Sequence, residues 1–531
     1  MSRAAVSTGV SVGMSRGMRS LGSVRPVSAS AGVVRDSLVN APSESFVGSA
    51  FDGPSASGRV MKSLSLAVLG AVNGAVSVKA ASLGVAVGEG EDLGAAGDSW
   101  ATKPNGKNAQ KRSVGIYRIW KKAHGSALEN TAILRSVGKR MSNYRETFMP
   151  EPIEAARAMR HREGFAFLDS SLPTGGAHSI LACDPDLVLR GTDWSLIEAE
   201  LQKRNQVGTD CGAAIGWVGF DGEYHFSFYD RIQVYSHDSR NWNYSPPESV
   251  SHSANSLSLN FLPSIEREVF IDMVERAKAY IAAGDIYQVC LSHPFHSAFH
   301  GDAWDYYERL RKHSPAPYGA YLDAGNLKIA SASPECFLRM VGRRISTRPI
   351  KGTRPRMADQ KSDRISSREL ETSAKEIAEL IMITDLERND LGRVCEYGSV
   401  CVPELLKLEA YEQVFHLVST VVGELRAEVS HVAALRACFP GGSISGAPKK
   451  RALEIIHELE PFSRGLYTGA IGYFGYNGES QFSMTIRTAV FEEGRAHFHV
   501  GAGIVADSDP SMEWEETHHK AAGLLLAARE L

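Results

Sequence analysis

From about Glu151 onward, helical and strand-like stretches alternate irregularly, with no repeating strand–helix unit. A doubly wound sheet needs that unit, so the pattern predicts one large α+β domain. Glu266–Ala283 is the clearest helix. Phe270, Met273, Val274, Ala277 and Ile281 fall on one stripe, and Gly284 stands where a left-handed C′ residue belongs. Further helices are expected at Ser366–Met382, at Pro448–Leu459 with Pro448 in the first position, and from Pro510 towards Leu531 behind a Ser508 or Asp509 cap. β-rich stretches fall at Phe165–Asp169, Ala213–Phe220, Lys328–Arg348, Ala470–Val490 and Ala496–Val505.

Charge divides the 531 residues unevenly. Residues 1–140 carry 18 Lys and Arg against 8 Asp and Glu, while the remainder has a net charge of −13. The first part is rich in Ser, Ala and Gly and has no acidic residue before Asp36. It reads as a low-complexity extension, disordered or preceding a true start at Met141 or Met149. An organelle transit peptide is the competing reading. Residues 141–260 are assigned to the first part of the fold and 261–531 to its catalytic core. The acidic body argues against nonspecific nucleic-acid binding. Seven scattered cysteines without a Cys-x-x-Cys pair suit a reducing compartment. No apolar run is long enough to cross a bilayer. A cytoplasmic protein is expected, or an imported one if the extension is a transit peptide.

Several patterns can carry chemistry. Glu376 and Glu379 are three residues apart on one expected helix, as are Glu513 and Glu516 on another, so each pair shares a helix face. Carboxylates converging from two helices can hold Mg²⁺, which prefers oxygen ligands. The alternative is four solvated glutamates. Gly501-Ala502-Gly503 follows a strand and would let backbone amides approach an anion. Phe439–Lys449 is a glycine-rich loop entering a helix, with Lys449 near any anion there. Arg487, in an apolar strand, calls for a carboxylate, from a ligand or from the protein. His416 lies among apolar residues, as a core histidine or a catalyst. Lys351 ends a strand near Arg348 and Arg354; burial beside those cations would lower its amine pKa and make it a nucleophile.

Together these segments resemble the chorismate-utilising enzymes. The resemblance rests on Ala283-Gly-Asp-Ile-Tyr-Gln-Val, Ser333-Pro-Glu, Pro349-Ile-Lys-Gly-Thr-Arg, Asp385-Leu-Glu-Arg-Asn-Asp-Leu, Gly442-Ser-Ile-Ser-Gly-Ala-Pro-Lys, Ile486-Arg-Thr and Gly501-Ala-Gly-Ile-Val with Glu513-Trp-Glu-Glu. It implies β-sheets packed together with helices outside. It also implies Mg²⁺ on Glu379 and Glu516, with Glu376 and Glu513 acting through water, against the ring carboxylate. Arg487, Tyr467 and the Gly501, Ala502 and Gly503 backbone would take the enolpyruvyl carboxylate. His416, Thr353 and Lys520 match other active-site positions. Water-using relatives have lysine at the place of Gln288, so glutamine suggests an ammonia user. Anthranilate synthases usually have alanine at the place of Lys351, whereas aminodeoxychorismate synthases have lysine. The resemblance therefore implies conversion of chorismate and ammonia to 4-amino-4-deoxychorismate, for 4-aminobenzoate and folate, through a covalent Lys351 intermediate. No glutaminase motif is found, which implies a separate glutamine amidotransferase subunit. Alternatives are the anthranilate branch and an inactive chorismate-binding subunit. Cys290, Ser314 and Cys336 depart from the family pattern. Ser170 resembles part of a tryptophan-binding region of some relatives.

Overall fold

The computed structural model describes residues 150–172, 177–207, 211–244, 259–411 and 414–529. The extension expected at residues 1–140, with its transit-peptide and start-site readings, lies outside them. Two large antiparallel sheets, with helices around them, form the expected α+β architecture.

The first sheet has eleven strands. Its site-bearing members are β1 (Gln288–Ala298) and β4 (Arg495–Ile504), which pair along most of their length. From them the sheet passes through Thr488–Glu492, Lys328–Ser333 and Tyr318–Asp323 to Ala166–Asp169 and beyond. The second sheet has ten strands. One end carries β2 (Ile350–Pro355) against β3 (Val414–Glu424), and its path ends at Tyr224–Tyr229 and Leu187–Gly191. Strands from residues 141–260 and from 261–531 pair directly in both sheets, as Ala166–Asp169 does with Tyr318–Asp323 and Ala213–Val218 with Ala470–Gly475.

Alternation decides which strand face does what. In β4, Ala496, Phe498, Val500, Ala502 and Ile504 are buried in apolar clusters, leaving His497, His499, Gly501 and Gly503 on the other face. Between the sheets, Ala166, Ile180 and Leu322 meet Ala213, Ile215 and Ile471. Ala303–His313 and the last helix cover the first sheet with Trp304, Tyr306, Ala521 and Leu524.

Two boundaries differ from expectation. The helix expected at Ser366–Met382 is two helices, Gln360–Glu371 and α1 (Ala374–Gly392). The chain breaks at Thr372 because Ser373 adopts an extended backbone and its hydroxyl accepts from Glu376 N, capping a new helix. Pro448 is the cap of Lys449–Leu459 rather than its first residue. The last helix, α2 (Pro510–Ala528), begins as expected behind Asp509, whose side chain accepts from Met512 N. Among the described residues no helix is long and apolar enough to cross a membrane.

Candidate active site

A cavity of about 600 Å³ is lined by β2, β4, α1 and α2 and gathers Lys351, Glu379, His416, Arg487, Glu516 and Lys520. These residues come from segments far apart in sequence, and most of the predicted site meets here.

Lys351 lies on β2 opposite Leu417, and the ladder slips before Thr353. Gly352 takes φ +75° there; a Cβ would stand 2.5 Å from Leu370 Cδ1 and 3.1 Å from the Glu376 carboxylate. Glycine thus lets the strand carry Lys351 beside the acidic helix. The Lys351 ammonium is partly buried and lies 3.4 Å from Ser443 O, which the Cys290 thiol also approaches at 3.4 Å. The expectation of a lowered amine pKa is corrected. Arg348 turns to Glu409, and Arg354 stands 3.6 Å from Glu376. Burial pulls the Lys351 pKa down, but Cys290, Glu379, Glu335 and Glu516 outweigh it and hold the ammonium above its ordinary value.

Glu335 also lines the cavity, within the Ser-Pro-Glu stretch. Burial pushes its carboxyl up to about 7, against the opposing pull of Ser443 and Lys351. Sequence reasoning gave it no role. The signal was an acid at the head of an apolar strand, Cys336–Val341. Gln288 is wholly buried on β1, outside the cavity lining, and its Oε1 has no hydrogen-bond partner among the described residues.

His416 Nδ1 lies 3.0 Å from Thr353 Oγ1. Burial, with Arg487 adding to it, lowers His416 to about 4, so the ring is neutral near pH 7. Arg487 lies between strands at φ +51°, and burial alone lowers its pKa. No carboxylate pairs with it among the described residues, which leaves a partly buried guanidinium facing the cavity. Tyr467 stacks on His499 with centroids 5.3 Å apart. A Cβ on Gly501 would fall 2.9 Å from Tyr467 Oη, and one on Gly503 2.5 Å from Gln288 Nε2. Beyond Phe498, β4 pairs only with β1, which leaves amides on its other edge open to the cavity. Ala502 turns its methyl into the core and offers only backbone.

The acidic pairs sit as expected on α1 and α2. Each faces a cation of the chain. Arg354 stands near Glu376, Lys520 Nζ is 2.6 Å from Glu516, and Lys375 Nζ is 3.4 Å from Glu513 and 4.0 Å from Glu379. Lys520 also donates to Gly501 O at 2.9 Å. Burial raises Glu379, which Lys351 and Lys375 only partly oppose. Glu516 is pushed up by burial but drawn further down by Lys520, Lys375 and Lys351, so it ends below its ordinary value. Among the described residues no three His, Cys, Asp or Glu side chains stand close enough to hold an ion as they are placed. The donor chemistry nevertheless fits Mg²⁺. The oxygens are hard, and Glu513 Oε2 is buried with no partner among the described residues.

The glycine-rich loop differs from expectation. Its helical part is one turn, Gly442–Ser445, and Lys449 turns to Asp390 at 2.5 Å and Cys438 O at 2.9 Å. Lys449 therefore serves a buried ion pair, while Ser443 and Ile444 face the cavity. A separate cavity of about 180 Å³ brings Ser170 and Cys336 together with Tyr318 and Arg348.

The family pattern described as chorismate binding enzyme matches residues 198–526. The chain belongs to the chorismate-binding enzyme family. It is 34% identical over 455 residues to aminodeoxychorismate synthase component 1 of Bacillus subtilis, covering 73% of this chain and 96% of that protein. It is 47% identical over 283 residues to anthranilate synthase component 1 of Synechocystis, covering 51% of this chain and 56% of that relative. The match thus spans little more than half of the latter's length. The crystal structure of anthranilate synthase component I from Streptococcus pneumoniae TIGR4 superposes with a TM-score of 0.57 at 29% identity, over 66% of this chain and 93% of that one. This membership accounts for the shared fold and for the placement of the motif residues around one cavity.

Proposed function

We propose that the protein converts chorismate and ammonia to 4-amino-4-deoxychorismate and water, with ammonia delivered by a separate glutamine amidotransferase subunit. The observation that carries this reading is Lys351, a partly buried amine facing the cavity, which a second group, the Glu335 carboxyl raised to about 7, also lines.

Arg487, Tyr467 and the open edge of β4 would hold the enolpyruvyl carboxylate. Glu379 and Glu516 would hold Mg²⁺, with Glu376 and Glu513 through water; the ion would offset the charge of the ring carboxylate. Lys351 must first lose a proton, and Glu335, which lines the same cavity, would accept it. The amine then attacks ring C2. Both ring double bonds shift, the C4–O bond breaks, and Glu335 returns the proton to the leaving hydroxyl as water. Ammonia adds at C4, the double bonds shift back and the C2–N bond to Lys351 breaks. Gln288 Oε1, without a partner among the described residues, would accept from the N–H groups of ammonia. His416, neutral and joined to Thr353, keeps the pocket's second wall uncharged beside Arg487.

The anthranilate reading is favoured by one observation, the 47% identity to the Synechocystis relative. It requires release of pyruvate and no bond to Lys351. Rapid denaturation of protein incubated with chorismate and Mg²⁺ without ammonia, followed by mass spectrometry of the Lys351 peptide, tests the proposal. An adduct on Lys351 is expected. Its absence, with anthranilate and pyruvate formed once ammonium is added, would replace it. Glutamine should support turnover only after an amidotransferase subunit is added.

A further inference from the structure

Glu376, Glu379 and Glu516 line one end of the cavity, Glu513 is buried outside that lining, and a chain cation faces each of the four. Lys375 differs from the others. It stands in the first turn of α1 and, alone among the described lysines, forms ion pairs within 4 Å with acids of both helices, Glu379 of α1 and Glu513 of α2. Glu513 is 2% exposed, so its charge is taken from water and needs compensation. Ser508 Oγ and Lys375 both contact its Oε1, while Oε2 is buried without a partner among the described residues. The Lys375 side chain is 48% exposed, so its ammonium can leave for solvent by rotation of its own stem.

Resting on the Mg²⁺ reading above, we infer that Lys375 is an internal counter-cation. It neutralises the carboxylates of α1 and α2 in the substrate-free protein, and a divalent ion must displace it. An ammonium and a divalent ion cannot share the same carboxylate oxygens at contact distance, because they repel. Lys375 therefore sets how tightly the free enzyme takes the ion, and it is a positioning residue rather than a catalytic one. While no ion is bound, it holds the two acidic helices together against the mutual repulsion of their glutamates. It also keeps the site closed to weakly held ions.

The test is Mn²⁺ titration of the full-length, substrate-free protein, followed by electron paramagnetic resonance. Lys375→Met should bind Mn²⁺ about tenfold more tightly than the wild type, because a competing charge is gone. Lys375→Arg, which keeps the charge, should stay within about twofold. In the wild type, acetylation of Lys375 by an N-hydroxysuccinimide ester should speed up on saturation with Mn²⁺, a readout that needs no variant. Unchanged or weaker Mn²⁺ binding by Lys375→Met would overturn the inference alone, and so would Mn²⁺-independent acetylation. No Mn²⁺ binding by any of the three proteins would overturn both this inference and the Mg²⁺ reading.

Discussion

Lys351 and Glu335 line one cavity, and each is shifted by its surroundings, the other included. Lys351→Ala should lower product formation by at least about 10³-fold while leaving the fold intact, as circular dichroism would show. Glu335→Gln should lose about 10²- to 10⁴-fold in activity. It should also change stability in a way specific to a buried acid. The folded carboxyl titrates at about 7, above its ordinary 4.5. The stability that this carboxyl contributes is therefore fully present below about pH 4.5 and is lost as pH rises through 7. Glutamine has no such loss, so in urea unfolding the variant should gain up to about 3 kcal/mol on the wild type between pH 5 and 8.5. A difference that does not grow with pH would contradict the assignment. The identity of Lys351 was legible from its motif, but the direction of its shift was not. Arg348 and Arg354 are close in sequence, whereas Glu335, Glu379 and Glu516 arrive from other elements and win because they face the amine.

Elements deliver these side chains through local rules that were mostly visible. The period-two burial of β4 separates a core face from a ligand face, and the glycines lie on the latter. The break before α1 also had its signal, since Ser373-Ala-Lys-Glu376 has the spacing of a capping box. Helical spacing of apolar residues on both sides masked it. The turn and strand that hold Gln288 have a sharper requirement. Gly446 takes φ +142° where it pairs with Val289, and a Cβ there would run into Gln288 O and stand 2.9 Å from Val289 Cα. Gly446→Ala should cost about 2 kcal/mol or more in chemical denaturation. It should also weaken the ammonia-dependent step by shifting Gln288. Near-wild-type stability would show that the pairing of Gly446–Ala447 with β1 yields easily.

At the scale of the whole molecule, two sheets are fastened near the site by a buried ion pair. Glu460 accepts from Ser292 N and Oγ on β1, and Arg464 grips Glu460, Cys290 O, Ile444 O and Thr468. The segment then runs into Ala470–Gly475 of the second sheet. Glu460→Ala leaves a buried guanidinium uncompensated and should destabilise the fold by about 3–5 kcal/mol in denaturant unfolding. A loss below about 1 kcal/mol would mean that water reaches Arg464. The α+β class was legible because no strand–helix repeat occurs. The strand order was not, since pairings such as Ala213–Val218 with Ala470–Gly475 join segments hundreds of residues apart, and no local pattern records them. The claim that joins these scales is amination at C4 through Lys351. Mass spectrometry of the products that the full-length protein forms from chorismate, Mg²⁺ and ammonium tests it most directly. The account predicts 4-amino-4-deoxychorismate, with no pyruvate released and no product from Lys351→Ala; anthranilate with stoichiometric pyruvate would contradict it.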